Sequence, residues 1–207
     1  SLIIEELNIM EVTGRNLVVT DVILKYVMKT LQRDLELLQK ENVEFFEVLG
    51  REVRVSGEFQ GQKLKGFIDR LDRFHPGQVR VVDYKTGKVL DDDEKITDDN
   101  AEAIADKIFA EDIKERPKIA LQFFIYDLLV QDHPLAKGRQ IYNCVYSTAR
   151  LFKEPPLNVP RNEKFFEAVS RRLGDTLQEM YSLDVPFRRT KDEKVCEYCD
   201  FKMICGR

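Results

Sequence analysis

The stretch from residue 43 to 85 limits the fold more than any other part of the chain. Three runs with strand character follow one another, at about 43–59 ("VEFFEVLGREVRVSGEF"), 63–74 ("KLKGFIDRLDRF") and 79–85 ("VRVVDYK"). Gly61 and Gly77 stand between them at hairpin distances, so the three runs read as an antiparallel meander. Ahead of the meander, residues 16–41 place Val19, Ile23, Tyr26, Val27, Leu31, Leu35 and Leu38 at spacings of three and four, the period of an amphipathic helix. Thr20 or Asp21 is its candidate cap.

Beyond the meander, residues 118–130 ("KIALQFFIYDLLV") are apolar on nearly every side and predict a helix buried against a sheet. Residues 139–148 ("RQIYNCVYST") alternate as a strand, and a second amphipathic helix is expected over 161–182, after the breaks at Pro155, Pro156 and Pro160. The order α-β-β-β-α-β describes an α/β fold with a mixed central sheet flanked by helices.

A chain of 207 residues can bury a full core, and 43% hydrophobic with 34% charged residues is the balance of a soluble globule. No apolar run approaches the roughly 20 residues that span a bilayer, so no membrane partner is expected. The start "SLIIEELNIMEV" has neither a basic leader nor a small-residue cleavage site, and residues 1–15 read as the edge of a piece cut from a longer, cytoplasmic protein. Residues 16–150 are expected to form the core, with 151–207 as a C-terminal helix and cysteine-containing tail packed on it. A net charge of −4 does not advertise nucleic acid, yet it leaves room for a local basic groove. The acid is concentrated in "LDDDEKITDD", residues 90–99, where Asp91 to Asp93 read as a solvated loop.

The chemistry gathers at the end of the third strand. Alternation puts Val79, Val81, Asp83 and Lys85 on one face and Val82 and Tyr84 on the other, while Phe67, Asp69 and Leu71 share a face of the preceding strand. A three-residue loop His75-Pro76-Gly77, with Gly77 left-handed, sets Asp69 directly opposite Asp83. A two-residue loop Pro76-Gly77 slips the pairing by one and splits them across the sheet. In the first register two carboxylates stand roughly 5 Å apart between backbones and repel, a conflict that a divalent cation resolves. Mg²⁺ takes few carboxylates, keeps waters and accepts phosphate oxygens, which points to phosphodiester cleavage. Lys85 would then orient or deprotonate the attacking water, or stabilise charge on the phosphate. The plainer alternative has Asp69, Arg70, Asp72, Asp83 and Lys85 as surface ion pairs on an exposed sheet face.

Taken together, "GFIDRLDRF" (66–74), "VRVVDYKTGK" (79–88) and "QFFIY" (122–126) resemble the PD-(D/E)XK nuclease superfamily, and within it the RecB/AddB-type exonuclease domains of bacterial recombinational repair. The likeness extends over roughly residues 16–207. It implies a restriction-endonuclease-like core and a Mg²⁺- or Mn²⁺-dependent deoxyribonuclease, the exonuclease of a helicase-nuclease system, with DNA as substrate and a helicase domain or subunit as partner. It also implies Asp69 and Asp83 as the acidic metal ligands, the backbone carbonyl of Tyr84 as a further ligand, and Lys85 as the catalytic lysine. Gln122 and Tyr126, on one helical face at i and i+4, match the QxxxY motif that in this family approaches the active site and DNA. Lys88, Arg171, Arg172, Arg188, Arg189 and Lys191 are available for phosphate contact.

The tail "CEYCDFKMIC" resembles the last three cysteines of an iron–sulfur staple, making Cys196, Cys199 and Cys205 candidate ligands of a 4Fe–4S cluster. A cubane takes four thiolates, and the remaining cysteine, Cys144, falls in a predicted core strand, so the set is incomplete in this chain. Family members also carry a His or Glu in a helix ahead of the meander. His75 and His133 fall in a turn and before Pro134, and Glu52 is either a stand-in for that group or a solvent-facing strand residue. The alternative to an enzyme is a non-catalytic DNA-end-binding or structural domain that retains the nuclease fold.

Overall fold

The computed structural model describes residues 13–87, 89, 93–110, 116–191 and 193–206, without the side chains of 194 and 195. In chain order they form α1 (Arg15–Glu41), β1 (Glu47–Phe59), β2 (Gln62–Arg73), β3 (Gln78–Lys85), α2 (Ala101–Phe109), α3 (Lys118–Val130), β4 (Gln140–Ser147), β5 (Asn158–Pro160) and α4 (Glu163–Tyr181). The strands make one sheet in the order β1-β2-β3-β4-β5. β3 is antiparallel to β2 and parallel to β4, and β5 is antiparallel to β4. This is the α/β fold with a mixed sheet that the sequence predicts, with α2 and β5 added.

The chain divides into two compact units. One takes in the chain up to Val55, then Lys65–Val89 and Val130–Pro160; the other takes in Ser56–Leu64, Leu90–Leu129 and Arg161–Arg207.

In the first unit, α1 begins earlier than its expected cap. Gly14 adopts φ 53°, and helical bonding starts with Asn16 N–H to Thr13 O and Leu17 N–H to Gly14 O, so Thr20 and Asp21 lie inside the helix. The other end is closed by Asn42 in the left-handed conformation (φ 55°): its N–H donates to Gln39 O and the Val43 N–H to Leu38 O, a Schellman arrangement. The packed stripe of α1 also differs from the apolar one. Val19, Val27, Leu31 and Leu35 are exposed, whereas Leu37, Tyr26 and Leu38 pack with Phe74, Val82, Cys144, Tyr146 and Leu151. Arg33 and Asp34 are buried on that same side, with Arg33 Nε donating to Leu151 O at 2.8 Å. Polar partners on the sheet select this face of the helix over its more apolar neighbour.

The second unit holds the β1–β2 hairpin tip, where Gln60 (φ 48°) and Gly61 (φ 79°) supply the two left-handed residues of a type I′ turn. Its core joins Ile104, Ala105 and Ile108 of α2 to Ala120 and Phe124 of α3 and to Phe165, Ala168 and Val169 of α4. α4 is capped by Asn162, whose side chain accepts from Phe165 N at 2.8 Å. Asp93 corrects the expectation of a solvated acidic loop: it is only 2% exposed, and its Oδ1 accepts from Ile119 N (2.9 Å) and Ala120 N (3.1 Å), capping the first turn of α3. Asp91 and Asp92 lie outside the described residues.

Candidate active site

The β2–β3 register decides the site. Arg70 pairs with Val82, Leu71 with Val81 and Asp72 with Arg80, a register that carried one residue further brings Asp69 level with Asp83, where the Tyr84 N–H turns to the Asp69 side chain. The odd register therefore holds, but by a different turn. Gln78 N–H donates to His75 O at 3.0 Å, and Gly77 stays out of the left-handed region. Pro76, with its fixed φ, suits the second position of such a turn, which then needs no left-handed glycine.

Strand alternation now separates two faces. On one stand Asp69, Asp83 and Lys85, joined by Ser147, which pairs with Lys85 in the parallel β3–β4 ladder. Asp83 is 4% exposed, and its Oδ2 forms an ion pair with Lys85 Nζ at 2.8 Å. Asp69 Oδ2 accepts from the backbone N–H of Tyr84 at 2.8 Å, which ties the carboxylate of β2 to the end of β3. Two carboxylates and a backbone carbonyl are hard oxygen donors. They suit a small divalent cation such as Mg²⁺, which uses few protein ligands and keeps its waters.

The opposite face carries a buried charge network that the sequence reading missed. Arg80, 1% exposed, donates from Nε and Nη2 to the two oxygens of Asp72, itself fully buried, at 2.7 and 2.8 Å. Arg70 spans from Asp72 (Nε, 2.9 Å) to both oxygens of Asp34 on α1 (3.1 and 3.0 Å), and the Tyr146 hydroxyl donates to Asp34 Oδ1 at 2.5 Å. Phe46 and Tyr146 present ring faces to the Arg70 guanidinium, and Phe74 does so to Arg80. Burial lowers the pKa of Arg70, but hydrogen bonding to Asp34 and the charges of Asp72 and Asp34 outweigh it and hold the group above its ordinary value. Burial likewise pushes the Tyr146 phenol up, with the charges of Cys144 and Asp34 in the same direction. Arg70 and Asp72 are thus not surface ion pairs. The signal was available: Asp72 and Arg80 face each other in the predicted odd register.

The other predicted residues are distributed as follows. Gln122 and Tyr126, in the second unit, are joined by a 2.6 Å hydrogen bond from Gln122 Nε2 to Tyr126 Oη. Cys196, Cys199 and Cys205 are half-buried in the same unit, and Cys144 is fully buried in the core of the first. Among the described residues no group of three or more His, Cys, Asp or Glu side chains is disposed to hold a metal ion. Arg171 and Arg172 are already paired with Glu102 and Asp106 of α2, and Arg189 donates to Cys205 O. Glu52 is exposed, at a left-handed position in β1 (φ 49°). Lys88 lies outside the described residues.

No described helix is long and apolar enough to cross a membrane. No curated protein is a significant match to the chain. Among solved structures, the one titled "Crystal structure of SSO0001" is similar at 21% identity and a TM-score of 0.38, over 97% of this chain and 75% of that one. A sequence model of the PD-(D/E)XK nuclease superfamily matches residues 10–206, the span that contains Asp69, Asp83, Lys85 and the mixed sheet that carries them. The chain belongs to the PD-(D/E)XK nuclease superfamily.

Proposed function

We propose that the chain is a Mg²⁺- or Mn²⁺-dependent deoxyribonuclease domain, the exonuclease of a cytoplasmic helicase-nuclease repair system. The observation that carries this reading is the Lys85 Nζ 2.8 Å from Asp83 Oδ2, with Asp69 tied to the same strand end through the Tyr84 N–H.

Asp69, Asp83 and the Tyr84 carbonyl would hold the cation, which when bound supplies positive charge to the scissile phosphate and lowers the pKa of a coordinated water. The Tyr84 N–H fixes Asp69 so that one carboxylate oxygen is committed within the protein. Lys85 holds its ammonium beside Asp83, where it orients the attacking water and counters charge growing on the phosphate oxygens. Gln122 and Tyr126, locked to one another, present a fixed polar pair to the DNA strand. Cys196, Cys199 and Cys205 would supply three of the four thiolates that a 4Fe–4S cluster takes, but among the described residues they do not form a metal-holding group, so ligation would require the tail to rearrange. Elemental analysis for iron tests that assignment, and an iron-free protein overturns it.

The decisive experiment incubates linear duplex and single-stranded DNA with the protein and Mg²⁺ or Mn²⁺, beside Asp69→Asn, Asp83→Asn and Lys85→Ala. Metal-dependent cleavage that each substitution abolishes supports the reading. Cleavage that survives in Lys85→Ala overturns the mechanism, and a parent protein that neither cleaves DNA nor binds metal is a scaffold.

A further inference from the structure

Ser147 ends β4 directly beside Lys85 in the parallel ladder, and the next residue, Thr148, donates its N–H to Lys85 O at 2.9 Å, which keeps the two backbones side by side. Partners in a parallel ladder point to the same face about 5 Å apart, so the Ser147 hydroxyl stands next to the lysine on the carboxylate face. Ser147 is 4% exposed, and its Oγ has no hydrogen-bond partner among the described residues. The Ser147 carbonyl is taken by other donors, accepting from Arg150 N (3.0 Å) and Leu151 N (2.8 Å). A buried hydroxyl left without a partner is destabilising, and alanine would fill the position without that cost. A residue kept in this state is idle in one condition of the site and used in another.

Lys85 supplies the second condition. Its Nζ rests on Asp83 Oδ2, one of the oxygens a divalent cation would take. A cation there both repels the ammonium and removes its acceptor. We infer that Ser147 is a positioning residue that receives the Lys85 ammonium: when Asp83 turns to a cation, Nζ passes from Asp83 Oδ2 to Ser147 Oγ, a neutral acceptor on the neighbouring strand. The shift keeps the lysine within the site and opens Asp83 to the metal. This inference rests on the metal-site reading given above.

The test needs no DNA and no turnover. Ca²⁺ is titrated by calorimetry into the full chain, Ser147→Ala, Ser147→Thr, Lys85→Met and the double variant Ser147→Ala/Lys85→Met. Ser147→Ala weakens Ca²⁺ binding about fivefold, the worth of one hydrogen bond, while Ser147→Thr restores it. The weakening vanishes in the Lys85→Met background, and thermal melts show Ser147→Ala at least as stable as the parent. Unchanged Ca²⁺ affinity in Ser147→Ala, or an equal loss when Lys85 is absent, overturns the role of Ser147 alone. A parent that binds no Ca²⁺ overturns the metal site itself.

Discussion

Arg80 stands directly opposite Asp72 in the β2–β3 ladder and takes both of its oxygens, at 2.7 and 2.8 Å, inside the first unit. The pair lies on the reverse of the sheet from Asp69 and Asp83. A one-residue slip of β2 against β3 would separate Arg80 from Asp72 in the same movement that parts the two carboxylates. The buried ion pair thus holds the register on which the site depends. Asp72→Leu leaves Arg80 1% exposed and without its carboxylate, and should cost about 3–5 kcal/mol. Asp72→Leu combined with Arg80→Met should recover most of that loss, read from urea denaturation midpoints. A double variant no more stable than the single one would show that packing, not uncompensated charge, dominates.

Much of the fold was legible because it is written in local periodicity. α3 matches the predicted span 118–130 residue for residue, since an all-round apolar run bounded by Pro117 and polar residues leaves little choice. The odd hairpin register was legible too, although Pro76 rather than a left-handed Gly77 makes the turn. What escaped depends on partners distant in the chain. Asp34 looks like one more exposed charge on α1 until it meets Arg70 and Tyr146, 36 and 112 residues away. Asp93 sits in an acidic run and is buried only because α3, beginning at Lys118, brings two unpaired N–H groups to it. α2 was hidden by its short span and by the polar residues preceding it, its buried stripe Ala101, Ile104, Ala105 and Ile108 being spaced for a helix.

Tyr146 gives the protein an alkaline limit. Burial, with Cys144 and Asp34 nearby, holds its phenol above the ordinary value near 10, so the folded state keeps a proton that the unfolded chain gives up first. The stabilisation is intact below about pH 10 and is lost as pH rises above it, at a limiting slope of about 1.4 kcal/mol per pH unit. Tyr146→Phe should flatten the fall in stability between about pH 9 and 11. Tyr84, also raised chiefly by burial, should leave part of the fall in place. Denaturation midpoints across that range check it, and identical slopes in parent and variant would refute it.

Asp93 should behave as a helix cap rather than a loop residue. Asp93→Ala removes the acceptor of two amides at the start of α3 and should cost about 1–2 kcal/mol. Asp93→Asn, which keeps an acceptor oxygen, should lose less than half of that. Equal losses in the two variants would mean that the charge, not the capping oxygen, matters here.

The contact between Lys85 and Asp83 predicts how a cation changes stability. In the metal-free protein Lys85 neutralises a carboxylate that is 4% exposed, so Lys85→Ala should destabilise by about 1–3 kcal/mol. A divalent cation can take over that neutralisation, and in the variant it need not displace an ammonium to do so. Binding to the folded state alone raises the unfolding midpoint by an amount that grows with the logarithm of ligand concentration over Kd. Saturating Ca²⁺ should therefore raise the midpoint of Lys85→Ala more than that of the parent, and the two melting temperatures should converge. Asp83→Asn should respond to neither condition, because it lacks the charge over which lysine and cation compete. Scanning calorimetry of the three proteins with and without Ca²⁺ measures this directly. Parallel shifts in parent and Lys85→Ala would mean that the cation binds elsewhere and that Lys85 does not guard the site.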